Sequence, residues 1–239
     1  MAVNVNGLMD TTKRRSFFAW LQQQGYAIVL LSETHCTSDS QALQWVQEGA
    51  GLGRPWQGSG FWCHQQQQGQ RAAGGVGVLL ADAVVSGAAQ PTVEHQGPSG
   101  RVLKVSWVAP WGQKMAAVAV YAPCTASDRC EFFMGEYLTA VTSGTQQCQI
   151  VGGDFNCVMR PGDVLAAPQQ QREASGRLTG GHALHTANFL AGLQDAWLLK
   201  HPGVLQPTHY TQHNSSADSM GQQQPGGGLR GAPGLCLPV

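Results

Sequence analysis

Six polar residues stand where apolar stretches end: Asn4 and Asn6 in MAVNVNGL, Glu33 in IVLLSETH, Tyr121 in MAAVAVYAP, and Asp154 with Asn156 in CQIVGGDFNCV. If those ends share one edge of a sheet structure, two carboxylates, three carboxamides and a phenol meet there. Such a cluster suits a hard cation. Mg²⁺ takes one or two carboxylates and keeps several of its waters, so Glu33 with Asp154 or an Asn satisfies it. A carboxylate beside an amide can also orient an attacking water toward a phosphate. Singly, each residue has a plainer reading. Asp and Asn after a strand bond the local backbone in turns, Glu33 is an exposed strand-end acid, and Tyr121 is an edge aromatic with its hydroxyl in water.

The elements that must position these residues follow from periodicity. MAVNVNGL predicts a short strand that turns at Asn6-Gly7, and TTKRRSFFAWLQQQG predicts a helix with Phe17, Trp20 and Leu21 at helical spacing and Gly25 as its stop. YAIVLLSETH predicts a strand and QALQWVQEG a helix. Gln65 to Gln68 form a low-complexity loop. GGVGVLLADAVV, RVLKVSWVAP and MAAVAVYAPC predict three more strands, RCEFFMGEYLTAV a helix and CQIVGGDFNCV a strand. Residues 161 to 181 are expected to be a Gln-rich loop, followed by one helix over HALHTANFLAGLQDAWLLKHPG that stops at His201-Pro202-Gly203. This alternation places helices over β-sheets in one domain spanning residues 1–217. From Asp218 the composition turns to Gly, Pro and Gln, and residues 218–239 are expected to be a disordered tail.

Composition narrows the partners. The 239 residues carry 14 Lys and Arg against 14 Asp and Glu, so no overall positive field holds a polyanion and any nucleic-acid contact must be local. Lys13-Arg14-Arg15 is the densest basic run, read first as a solvated helix face and second as a phosphate site. The seven cysteines show no short paired spacing, which suggests neither a disulfide framework nor a zinc site. No apolar run approaches a membrane span, and MAVNVNGL lacks a signal-peptide core, so no membrane partner and a reducing compartment are expected.

Taken in order, NVNGL, SETH, VYAP, GGDFN, LQDAWLLKHPG and THYT resemble the endonuclease/exonuclease/phosphatase superfamily, most nearly the endonuclease domain of LINE-type non-long-terminal-repeat retrotransposons. The resemblance runs from about Val3 to Thr211. It implies a deoxyribonuclease I-like four-layer α/β sandwich, two packed mixed β-sheets flanked by helices, that uses Mg²⁺ or Mn²⁺ to cut DNA at backbone phosphates and leave a 3′ hydroxyl. It further implies that Glu33 is the principal metal ligand, with Asn4 near metal and phosphate and Asn6 beside them. On the same basis Tyr121 contacts the phosphate or leaving group, Asp154 and Asn156 orient the water and phosphate, and Thr211 lies by the DNA. A nuclear setting follows only from what such elements attack. Rival readings are an abasic-site endonuclease, a phosphatase of small phosphoesters, and a non-catalytic remnant of a mobile element.

The pattern changes near its end. Ser215-Ser216-Ala217-Asp218 matches the family's S-x-x-D in letters, but no apolar strand follows it, and Met220 to Val239 contains no histidine to match the final S-D-H. The sandwich is therefore expected to lack its last strands. Loss of the catalytic Asp–His pair is expected to lower the rate roughly a hundredfold or more. His182, His185, His201, His209 and His213 are read as surface residues. The shift after Ala217 reads as a truncated or frame-shifted copy of a mobile element.

Overall fold

The computed structural model describes residues 1–48, 57–64, 74–144, 148–160, 164–165, 171–202, 209–210 and 235–238. Two mixed sheets lie face to face with helices on both outer sides, the four-layer sandwich expected. The first sheet has the order β1-β2-β4-β3, built from β1 (Ala2–Asn4), β2 (Ile28–Ser32), β3 (Gly58–Cys63) and β4 (Val76–Ala81). The second has the order β10-β12-β8-β7-β6-β5. Its strands are β5 (Thr92–Gln96), β6 (Val102–Val108), β7 (Lys114–Tyr121), β8 (Cys148–Asp154), β10 (Leu193–Asp195) and β12 (Leu235–Pro238). Two residues each of β9 (Val164–Leu165) and β11 (His209–Tyr210) form a separate parallel pair.

Alternation along the strands assigns each side chain to a layer. Val29 and Leu31 of β2 face α1 (Thr11–Gln24) and α2 (Asp39–Glu48), where Phe17, Phe18, Leu21 and Trp45 complete a core. Leu30, between them, faces the other sheet with Val76, Val78 and Leu80. On β7, Ala117, Ala119 and Tyr121 point into that seam, while Val118 and Val120 point outward to Phe133, Tyr137 and Leu184. The alanines keep the seam thin. The outer helices are α3 (Ala126–Phe132), a π-helical turn (Phe133–Tyr137), α4 (Leu138–Thr142) and α5 (Gln171–Leu190). Lys104 is fully buried on that outer side, and its Nζ donates to the carbonyls of Ala140 and Ser143 at 3.1 and 2.5 Å, closing the end of α4.

Several expectations need correction. β3 and β5 were not expected: GSGFWC and TVEHQ lie at the edges of their sheets, and the bulge between Val93 and His95 breaks the alternation that marks a strand. The loop expected to Gly181 ends by Gln171, where α5 begins with the helix formers Gln, Arg, Glu and Ala. The long helix expected to reach His201 is broken at Gly192, whose φ of 66° stops it. The chain then forms β10, and α6 (Ala196–Lys200) restarts with Asp195 accepting from the backbone of Trp197 and Leu198. Four residues of the expected disordered tail, Leu235–Pro238, form β12 between β10 and β8. The rest of the tail and the Gln65–Gln68 loop lie outside the described residues.

Candidate active site

Two parallel strand pairs set the geometry. β1 runs parallel to β2 with Asn4 opposite Ser32, and β7 runs parallel to β8 with Tyr121 opposite Asp154. All four strands therefore end at the same rim, and Glu33 follows β2 directly. The carboxamide of Asn4 spans the seam: its Nδ2 donates to Glu33 Oε1 at 2.8 Å and to Asp154 Oδ2 at 2.9 Å. One nitrogen thus holds a carboxylate from each sheet.

The amide orientation is set by a second bond. The backbone N–H of Asn6 donates to Asn4 Oδ1 at 2.9 Å, which identifies that atom as the acceptor and turns the NH₂ toward the carboxylates. The same local turn recurs across the seam, where the N–H of Asn156 donates to Asp154 Oδ1 at 2.9 Å. The plain turn reading of these residues and the functional one are both realised. Each Asp154 oxygen accepts one of these bonds and keeps capacity for a water. Asn156 Nδ2 donates to the Ala122 carbonyl at 2.8 Å and lies 3.8 Å from Cys124 Sγ.

Among the described residues, the non-glycine positions with positive φ are Asn6, Glu33, His35 and Asn156, at 45°, 54°, 56° and 48°. All lie in the loops that form this rim. Such backbone persists only where its surroundings over-determine it. For Glu33 they do: Gly7 N–H donates to the Glu33 carbonyl at 2.6 Å, Leu8 to Thr34 at 3.0 Å, Thr34 to Gly75 at 3.1 Å and His35 to Gly74 at 2.9 Å. A side chain on Gly75 would meet Thr34 Oγ1 at 2.6 Å. The glycine pair keeps the Glu33 loop flush against β4.

Glu33 faces no Lys or Arg among the described residues; its Oε2 lies 3.9 Å from His35 Nε2. Tyr121 is 9% exposed, with its hydroxyl 4.0 Å from Cys124 Sγ. Burial first, then the negative charge of Glu33 and the neighbouring Cys124, push its pKa well above the usual tyrosine range. The phenol therefore stays protonated as a donor. Because the folded chain keeps a proton that the unfolded chain releases, Tyr121 contributes stability that is full below about pH 10 and declines as pH rises through its raised value. Alkaline titration followed at the phenolate absorbance is expected to leave the Tyr121 phenol un-ionised until the fold opens. Tyr121→Phe should remove one tyrosine's amplitude from that late step, and an unchanged profile would refute the placement.

A family model described as Endonuclease/Exonuclease/phosphatase family matches residues 1–220. The chain belongs to that family. A Xenopus laevis relative, the transposon TX1 uncharacterized 149 kDa protein, is 30% identical over 156 residues, which make up 64% of this chain and 11% of the relative. The chain thus spans about a tenth of that relative's length. An AP endonuclease of Archaeoglobus fulgidus superposes with a TM-score of 0.63 at 14% identity, covering 99% of this chain and 84% of its own. One from Leishmania major gives 0.62 at 16% identity, covering 84% and 68%. These likenesses show the endonuclease/exonuclease/phosphatase fold, as the sequence motifs implied.

Within this family fold the structure brings together Asn4, Glu33, Tyr121, Asp154 and Asn156. Asn6 joins by its backbone N–H, with its side chain exposed. Thr211 and His213 lie outside the described residues. His182 and His185 are exposed on α5, and His201 stacks on Trp197 at 4.1 Å. The basic run divides: Lys13 Nζ donates to the Asn6 carbonyl at 2.8 Å, Arg14 is buried and donates to the carbonyls of Leu8 and Met9, and Arg15 is exposed. Sequence reasoning missed His35, Gly74, Gly75, Arg101 and Cys124. The glycine pair before an apolar run was the one available signal, since paired glycines mark backbone that a side chain would obstruct.

Proposed function

We propose that this chain is a divalent-metal-dependent phosphodiester hydrolase of the retrotransposon endonuclease type, which nicks DNA by attack of water on a backbone phosphate. The observation that carries this reading is the Asn4 carboxamide held between Glu33 and Asp154 at 2.8 and 2.9 Å, which fixes two carboxylates from different sheets at one solvent-facing rim.

The donor set fits a hard ion. Glu33 offers Oε2, while Oε1 is engaged by Asn4, and the exposed carboxamide of Asn6 is the candidate for a further contact. Among the described residues no three His, Cys, Asp or Glu side chains converge as a metal cage. A site with so few protein ligands suits Mg²⁺, which retains its waters, and Mn²⁺ in its place. When bound, the ion would neutralise charge on the phosphoryl oxygens. Asp154 orients the attacking water with its free acceptor capacity, and Asn4 holds that carboxylate in place. Tyr121, kept protonated, donates to the phosphate or the leaving oxygen, and Asn156, whose Nδ2 donates to the Ala122 carbonyl and to Cys124 Sγ, reaches the phosphate by exchanging that weak thiol partner.

Two measurements test this together. Calorimetry with Mg²⁺ should give micromolar-to-millimolar binding that Glu33→Ala abolishes, and the wild-type chain should convert supercoiled plasmid to nicked circles in Mg²⁺ but not in EDTA. No heat and no nicking from a folded protein would favour the non-catalytic remnant. Turnover on plasmid, abasic duplex and inositol phosphate ranks the substrates, and a clear preference for abasic duplex would replace the retrotransposon-type reading by the abasic-site one.

A further inference from the structure

We infer that His35 is a further ligand of the divalent ion, its Nε2 joining Glu33 Oε2 and giving the site a preference for Mn²⁺ over Mg²⁺; the inference rests on the metal-dependent reading and adds a nitrogen donor to it. Glu33, Thr34 and His35 leave β2 with their side chains on alternating sides. Thr34 is fully buried and its Oγ1 accepts from the Cys36 N–H at 3.4 Å, while the side chains on either side of it stay partly exposed. The two flanking groups therefore share the rim, and His35 Nε2 comes 3.9 Å from Glu33 Oε2. Oε2 is the oxygen that Asn4 does not engage.

Backbone and packing both fix the imidazole. His35 has φ 56°, a left-handed conformation uncommon outside glycine, and its N–H donates to the Gly74 carbonyl at 2.9 Å. One edge of the ring lies on Gly7, where a side chain would stand 2.7 Å from Nδ1. That leaves Nε2 as the edge turned to Glu33. Among the described residues neither ring nitrogen makes a hydrogen bond.

As an ion pair the contact is a poor one, since 3.9 Å exceeds hydrogen-bond reach and both groups meet water. As two ligands of one ion it fits. Donors that share an ion stand no more than about 4.2 Å apart, twice the usual bond of about 2.1 Å. Mg²⁺ seeks oxygen and keeps its waters, whereas a neutral imidazole nitrogen favours a transition ion such as Mn²⁺. His35 thus sets which ion the site prefers.

The test uses the full chain with Mn²⁺ as the probe, read by pulsed electron paramagnetic resonance and by calorimetry. The wild-type spectrum is expected to show the coupling of a directly bound nitrogen, and histidine enriched in the heavier nitrogen isotope should change that coupling. His35→Phe keeps a ring against Gly7 without a donor, and His35→Asn tolerates the left-handed backbone. Both variants should lose the coupling and bind Mn²⁺ about tenfold more weakly, with Mg²⁺ affinity falling less than about threefold. No Mn²⁺ binding, no nitrogen coupling in the wild-type chain, a coupling that survives in either variant, or equal losses for the two ions overturns the assignment. A nitrogen-coupled ion in a wild-type chain that never nicks plasmid leaves the ligand standing and removes the hydrolase reading; metal-dependent nicking with an uncoupled ion does the reverse. Should His35→Phe fail to fold, His35→Asn and the isotope-labelled wild-type chain decide the matter.

Discussion

Asp154→Ala is expected to slow plasmid nicking by about 10² to 10⁴-fold, the range for loss of a positioned acid or base group. The paired variant Asp154→Asn separates chemistry from support. An asparagine keeps an oxygen that can accept from the Asn156 N–H, so the local turn survives while the charge is gone. If Asp154 orients water, both variants lose activity to a similar degree under single-turnover conditions. Should Asp154 serve only as a turn residue, the asparagine variant would nick at the wild-type rate, and the assignment would end there. The competing amide from Asn4, 2.9 Å from Asp154 Oδ2, predicts that neither variant changes the metal heat as strongly as Glu33→Ala does.

The largest expected stability effect lies one residue earlier. Gly153 has φ 150°, and a Cβ built there would stand 1.9 Å from the Val120 carbonyl oxygen on the neighbouring strand. That contact is backbone and cannot swing aside. Gly153→Ala is expected to cost about 3 kcal/mol or more, from strained backbone at about 1–3 kcal/mol and overpacking of similar size. Urea denaturation should show a markedly lower midpoint; a midpoint equal to wild type would mean that β8 does not approach β7 this closely. The glycine is thus tied to function through register, since it lets β8 deliver Asp154 opposite Tyr121.

Much of this was legible in the sequence because the motif residues sit at strand ends with fixed local chemistry. N-x-N and D-x-N place an acceptor two residues before an N–H, and both turns form as their spacing implies. The apolar runs of β2, β7 and β8 were legible for the same reason, since strands buried on both faces read as continuous apolar stretches. Two edge strands were not. β3 and β5 have one open side and carry Gly, Ser, Glu and His, which erase the period that marks a strand. The stacking of Arg101 on Tyr121 was invisible because the two lie twenty positions apart, and no local spacing encodes that pairing. Leu235–Pro238 was missed on composition, where a short apolar stretch inside a Gly- and Pro-rich run gave way to the average around it.

The Asn4 carboxamide that bridges the two sheets at this rim means that neither layer owns the chemistry. A slide of one layer past the other would leave every ladder bond within each layer intact while pulling Glu33 and Asp154 out of register with a shared substrate. Competence is therefore a property of how the halves are glued together, carried by the thin alanine-lined filling between them, and it can fade while each half still looks whole.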